Sequence, residues 1–270
     1  MKYENKFNLT VEENVFVAKR NLVDTIYKSA KLEGLSVTYP DTYTIINGGK
    51  VQGLTTDEVV TINNLKYAWQ FILDNISEPT NYALICEINR IVGANLIYGA
   101  GYVRTIPVKI AGMEWTPPLP IESDIKDEIA ATLKIDNETE RSITLMLRLM
   151  RRQMFVDGNK RTAILAANHH MIQNGCGIIA VPESSLAKFL GGIIDYYQTN
   201  DMGNLLKFVY DNGVDGISLD LMRNTQNESS KQQEKPSLRT TLAVNEAILT
   251  EQNQGRKAGA RGLGDIEPEH

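Results

Sequence analysis

Residues 153–163 read Gln153-Met154-Phe155-Val156-Asp157-Gly158-Asn159-Lys160-Arg161-Thr162-Ala163, and the reading of this stretch decides the fold. Upstream, apolar residues recur at helical spacing from Asn137 to about Met154, with Glu140 placed to complete a capping box. Downstream, a second helical run starts at Asn159 or Lys160 and reaches Asn174, where Gly175 stops it. Asp157, Gly158 and Asn159 form the tight turn between the two helices. The first amides of the second helix have no intrahelical acceptor and together carry roughly half a positive charge. Lys160 and Arg161 add cations at that same end, against the preference of the helix dipole, which points to an anion such as phosphate. Gly158 is read as letting a phosphate approach without a Cβ in the way, and Asp157 as the oxygen ligand of a Mg²⁺ ion bridging phosphates. An ordinary capped helix with exposed basic side chains fits the spacing equally well. Phe155 reads as core.

The rest of the chain is helical on both sides of this turn. Apolar residues from Val11 to Tyr27 recur at helical spacing and end near Gly34, and Thr55 with Glu58 is a capping box opening a helix through Tyr67 and Leu73. Residues 37–47 read as extended or turn structure, with Pro40 and Gly48-Gly49 as punctuation. A helix follows Pro79 towards Ile97. From Gly99 to Gly112 the residues alternate, which predicts a β-hairpin or flap, and Pro107 confines it to a sheet edge. Helices then cover about 122–134, 184–197 and 202–212. Domain organisation is accordingly one domain over 1–220, then 221–270 as a polar linker with a short helix or a disordered tail.

Composition narrows the function. A net charge of −5 argues against a general duplex-binding surface, so no nucleic-acid partner is expected. No apolar run approaches the ~20 residues of a membrane span, and the polar N-terminal stretch lacks an apolar leader core, so the expected location is cytoplasmic. Cys86 and Cys176 fit no metal-ligand spacing and read as buried thiols. His169 and His170 lack acidic or cysteine partners at ligand spacing and read as surface or packed residues. Arg148, Arg151 and Arg152 read as a solvated basic face.

Phe155, Asp157, Gly158, Asn159 and Arg161, with Lys160 before the arginine, resemble the central signature of the Fic (Fido-fold) family. Two other segments agree. Ser29, Glu33 and Gly34 resemble the serine-x-x-x-glutamate-glycine motif of an N-terminal inhibitory helix in that family. Residues 101–118 resemble its flap and proline-rich exit. The resemblance covers about residues 8–212 and implies an all-α Fido fold, a helical bundle with one β-hairpin flap. It further implies ATP or another nucleoside triphosphate with Mg²⁺, held by Gly158, Asn159, Lys160 and Arg161 with the metal on Asp157. A protein target would dock on the flap at Arg104, Thr105, Ile106 and Val108. The implied reaction is transfer of AMP to a protein hydroxyl. A homodimer is compatible with the sequence.

Two positions depart from the family pattern. Gln153 stands where the family's enzymes carry a histidine as general base, and a carboxamide has no lone pair basic enough to take a hydroxyl proton. Ile164 stands where a second arginine commonly pairs with the inhibitory glutamate, so Glu33 is expected to turn to Arg161 or Lys160 instead. Impaired or altered nucleotidyl transfer is therefore the leading expectation. A non-catalytic nucleotide-dependent interaction module and Glu33-assisted removal of AMP are the alternatives.

Overall fold

Three threonines open helices by the same device. Thr10, Thr38 and Thr55 each accept the amide three residues on, while the acidic residue there returns a bond to the threonine amide. They start α1 (Val11–Arg20), α3 (Tyr39–Ile46) and α4 (Thr56–Asp74). The computed structural model describes residues 3–110 and 112–217, so the boundary near 220 and the tail 221–270 lie outside the described residues. The apolar run after Asn8 is two helices rather than one: Asn21 ends α1 and precedes α2 (Leu22–Leu32). Residues 37–47 are not extended. They hold α3, because Pro40 falls in the helix's first turn, where its missing amide costs nothing.

The remaining helices are α5 (Tyr82–Val92), α6 (Glu122–Thr132), α7 (Glu138–Arg152), α8 (Asn159–Gln173), α9 (Leu186–Thr199) and α10 (Gly203–Gly213). Strands β1 (Ile178–Ile179) and β2 (Val214–Asp215) pair antiparallel, Ile178 opposite Asp215 and Ile179 opposite Val214. The architecture is the expected helical bundle with one small two-stranded sheet. The sheet is not at 99–112, however. The described residues of that segment contain no strand and cross the surface as an irregular loop.

At the centre lies α8, with 13 of its 15 residues buried. It packs against α7, α5, α4 and α1. A helix buried all round must satisfy its polar side chains internally. Asn168 bonds the carbonyls of Ile164 and Ile179 and accepts the Ile179 amide. His169 pairs with Thr80 Oγ1 and the Asn75 carbonyl, and His170 with Ser142 Oγ. Both histidines are therefore core residues. Cys176 is buried as expected, whereas Cys86 is only half-buried.

The arginine cluster of α7 is not a solvated face. Arg148 donates to Thr132 on α6. Arg151 donates twice to the Tyr197 carbonyl and lies 4.6 Å from the Trp115 ring centroid. Arg152 faces Glu128 at 3.4 Å. These side chains fasten α7 to its neighbours.

Candidate active site

The turn between α7 and α8 brings most of the expected site residues together. α7 ends at Gln153, whose backbone is left-handed at φ 48°, ψ 51°. Phe155, only 2% exposed, plugs the core beneath the turn. Asn159 braces it from inside: its Oδ1 accepts the Phe155 amide at 3.0 Å and its Nδ2 donates to the Phe155 carbonyl at 2.9 Å. Asn159 is thus a buried strut rather than a free donor at the surface.

Gly158 is glycine for a different reason from the one its sequence suggests. Its φ is +76°, which side chains rarely adopt, and a Cβ there would meet Asn89 Nδ2 and Val92 Cγ1 at 3.1 and 3.2 Å. The missing Cβ clears the protein side of the turn, not a ligand side.

No side chain caps the N-terminus of α8. Asp157 is exposed; its Oδ1 accepts the Gly158 amide and its Oδ2 lies 3.2 Å from Arg161 Nη2. The Arg161 side chain is only 7% exposed, and its Nε has no hydrogen-bond partner. Glu33, at the end of α2, sits 3.9 Å from Arg161 Nε and 3.9 Å from Lys160 Nζ, with its own Oε1 buried and unbonded. The Glu33 carboxylate thus attracts both cations without a hydrogen bond to either, while Lys160 Nζ donates to the Leu32 carbonyl at 3.5 Å. Gly34 sets this placement. At φ +79° it closes α2 with amide bonds from Gly34 to the Lys31 carbonyl and from Leu35 to the Ala30 carbonyl. Ser29, one turn back, lines a small hole of about 20 Å³ with Ile164 and Phe189. Ile164 fills the region near α2 with apolar surface.

A cavity of about 390 Å³ opens over the turn, lined by Val108, Ile110 and Met113 from the flap segment, Gln153, Asp157 and Lys160 from the turn, and Leu190, Ile193 and Tyr197 from α9. Its polar side is the turn and its other walls are mostly apolar, the usual make-up of a small-molecule site. Gln153 faces it with both ends of its amide engaged: Nε2 donates to the Met150 carbonyl at 2.6 Å, and Oε1 accepts from Asn159 at 3.1 Å. Tyr197 donates its hydroxyl to the same Met150 carbonyl at 2.7 Å. Burial pushes the Tyr197 phenol up, outweighing its bond with Gln153, so it stays a protonated donor and not a base. Neither core histidine reaches the cavity.

The flap residues separate into two kinds. Thr105 and Ile106 are exposed and Val108 is half-exposed. Arg104, expected among the target contacts, is 3% exposed and turned inward. Its guanidinium donates to the carbonyls of Gln153, Ile106 and Pro118 at 2.7, 2.9 and 2.6 Å, and its amide bonds the Met154 carbonyl. A buried guanidinium with only carbonyl partners holds the flap's two arms to the turn and, at 3% exposure, is turned away from a target. Two site-building residues escaped the sequence reading, Asn89 and Tyr197. Asn89 carried a signal: it is a polar residue on the apolar face of α5, beside Ile85, Ile88 and Val92.

Comparisons with known proteins bear on the fold and on the segment that holds the turn. The Fic/DOC family matches residues 79–171. Among solved structures, C. elegans Fic-1 (residues 134–508) superposes with a TM-score of 0.62 at 23% identity, covering 73% of this chain and 62% of that one. A Fic-domain-containing signaling protein from Bacteroides thetaiotaomicron VPI-5482 gives 0.61 at 20% identity, covering 74% and 84%. A Fic family protein from Desulfovibrio desulfuricans G20 gives 0.53 at 15%, covering 72% and 62%. The chain thus spans less than two thirds of the C. elegans chain it matches. No curated protein matches the sequence. Residues 79–171, which carry the turn, α7 and most of α8, therefore match the Fic/DOC family, in a chain whose fold is shared with solved Fic proteins.

Proposed function

We propose that this protein binds a nucleoside triphosphate, ATP by family analogy, with Mg²⁺ at the turn 157–161, and transfers AMP slowly to a protein hydroxyl. The observation that carries the reading is Arg161 Nε, buried without a hydrogen bond beside the uncapped N-terminus of α8, in a turn whose Asp157 and Lys160 line a cavity of about 390 Å³. A buried guanidinium nitrogen that makes no hydrogen bond is costly, and an anion reaching that helix end would satisfy it together with the free amides. In this reading Lys160, Arg161 and the amides of α8 hold phosphates. Asp157 fits Mg²⁺ because its carboxylate is exposed and keeps unused lone pairs, and Mg²⁺ in such sites takes one or two carboxylates plus phosphate oxygens. Bound there, the ion would neutralise phosphate charge during transfer. Thr105, Ile106 and Val108 offer the target its docking edge.

Positioning and electrostatics supply most of the catalysis in phosphoryl-type transfer, and both survive here. Proton removal does not: Gln153 is neutral. Glu33, held 3.9 Å from both site cations, acts as the inhibitory carboxylate by occupying positive charge that phosphate would use. The engagement of both ends of the Gln153 amide within the protein favours a second reading, a nucleotide-dependent interaction module without chemistry.

Calorimetry with ATP and Mg²⁺ tests the phosphate site: Arg161→Ala should weaken binding by about 1.5–3 kcal/mol, the scale of a charged hydrogen bond. Equal affinity in the variant would sink the assignment. Intact-mass analysis of Glu33→Gly with ATP and Mg²⁺ then separates the two readings. Addition of AMP means transferase, and binding without a mass change means an interaction module.

A further inference from the structure

We infer that Asn89 is the positioning residue that registers the flap segment against the phosphate turn, so that events at one are felt at the other. Asn89 is fully buried on α5. Its Nδ2 donates to the Asp157 carbonyl at 3.0 Å and to Thr162 Oγ1 at 3.0 Å, and its Oδ1 accepts the Gly101 amide at 2.8 Å. The amide orientation is not a choice. The Asp157 carbonyl can only accept and the Gly101 amide can only donate, so exchanging oxygen and nitrogen would lose both bonds. One side chain thus joins three segments: the start of the flap, the turn, and the first residues of α8.

The glycines at both ends conform to this arrangement. At Gly101, φ is +85° and a Cβ would meet Arg90 Cβ at 2.9 Å and the Cys86 carbonyl at 3.0 Å, both on α5. At Gly158 a Cβ would press on Asn89 Nδ2 itself at 3.1 Å. The flap start and the turn are therefore seated on one patch of α5, with Asn89 as the hydrogen-bonding group between them. Leucine or isoleucine would fill the volume but satisfy none of the three partners. A carbonyl, a hydroxyl and an amide would be left unpaired inside the protein. The consequence is functional, because the turn is where nucleotide phosphates would bind and the flap is where the target would dock. The ligand part of the inference rests on the phosphate reading above; the register itself does not.

Hydrogen exchange resolved to single amides tests it, on wild type, Asn89→Leu and Thr162→Val, each with and without ATP and Mg²⁺. Without nucleotide, Asn89→Leu should speed exchange at Gly101 and across 157–159 by tenfold or more, while the interiors of α4, α7 and α10 keep wild-type rates. Thr162→Val removes one of the partners that hold the Asn89 side chain at the turn; it should speed 157–159 about fivefold and Gly101 by more than about twofold, because the same side chain serves the flap start. With ATP, the wild-type Gly101 amide should slow further, and Asn89→Leu should still bind ATP yet lose that slowing. Exchange that rises evenly over all helices in Asn89→Leu, or an unchanged Gly101, would reduce Asn89 to an ordinary core residue. If Asn89→Leu does not fold, Thr162→Val decides, because acceleration confined to 157–159 with Gly101 unchanged contradicts a register carried by Asn89. Failure of wild type to bind ATP defeats the phosphate reading alone, since the nucleotide-free rates still judge Asn89.

Discussion

At the scale of single residues, the chemistry turns on position 153. Gln153 is held by the Met150 carbonyl on one side and Asn159 on the other, at the left-handed end of α7. Histidine is among the residues that tolerate that backbone region. In Gln153→His, one ring N–H can take over the bond to the Met150 carbonyl. That bond fixes the tautomer and leaves the second nitrogen as a lone-pair acceptor with an ordinary pKa near 6.5. If the cradle is otherwise competent, AMP transfer followed by intact mass should rise by about a hundredfold or more. The gain should be larger alongside Glu33→Gly, which removes a carboxylate 3.9 Å from both Lys160 and Arg161. Brisk transfer by wild type, unchanged in the variant, would mean that the base is another side chain. No transfer by either form, with ATP bound by both, would favour the interaction module.

At the scale of elements, the flap is where local pattern and final structure part. Alternation from Tyr102 to Ile110 predicts two strands, yet no ladder forms among the described residues. Arg104 instead ties the segment together by its side chain, reaching the Ile106 carbonyl within the predicted hairpin and the Pro118 carbonyl beyond it. Arg104→Met keeps much of the volume but leaves those carbonyls and that of Gln153 without donors. Limited proteolysis should then cut 105–116 at least fivefold faster, with little change in the thermal midpoint, since few core contacts are lost. Unchanged cleavage would mean that the flap is held by other contacts, such as Arg151 over Trp115. Helix starts were legible because caps are local: Thr55 with Glu58 predicts α4 correctly. The same signal at Thr38 and Asp41 was masked by Pro40, which reads as a breaker until its place in the first turn is known. The turn at 157–159 was legible as well. Why its glycine is needed was not, because Asn89 and Val92 are 69 and 66 residues before Gly158 in sequence and touch it only in the fold. Glu33 facing Lys160 and Arg161 followed from the resemblance; no local pattern joins residue 33 to residue 160.

At the scale of the whole molecule, stability should depend on acid through the centre of the bundle. α8 carries His169 and His170 into the core, and burial there depresses both from their ordinary value, His170 to about 4. Burial is the main cause; the charge of Arg141 and the neighbouring His169 push the same way. Glu138 lies 3.8 Å from His170 Nε2 but does not reverse the direction. In the unfolded chain His170 binds its proton near pH 6.5. Between pH 6.5 and about 4 the unfolded state therefore holds a proton that the folded state lacks. The stability from keeping His170 neutral is present in full above pH 6.5 and is lost progressively as pH falls towards 4. Between pH 7 and pH 5 the loss is about 2 kcal/mol for this residue alone, a range in which most carboxylates are still ionised. Urea unfolding at those two pH values should show it directly. His170→Gln should fold at pH 7, with its side-chain amide able to meet Ser142, and its pH 7 to pH 5 decline should be smaller than that of wild type by most of that amount. An identical decline in both proteins would place the acid sensitivity in other groups and show that His170 takes up its proton without unfolding the bundle. The proposed phosphate site lies at the other end of the same helix, so any ATP binding that depends on Arg161, measured at pH 5, would report whether acid loosens α8 as one unit.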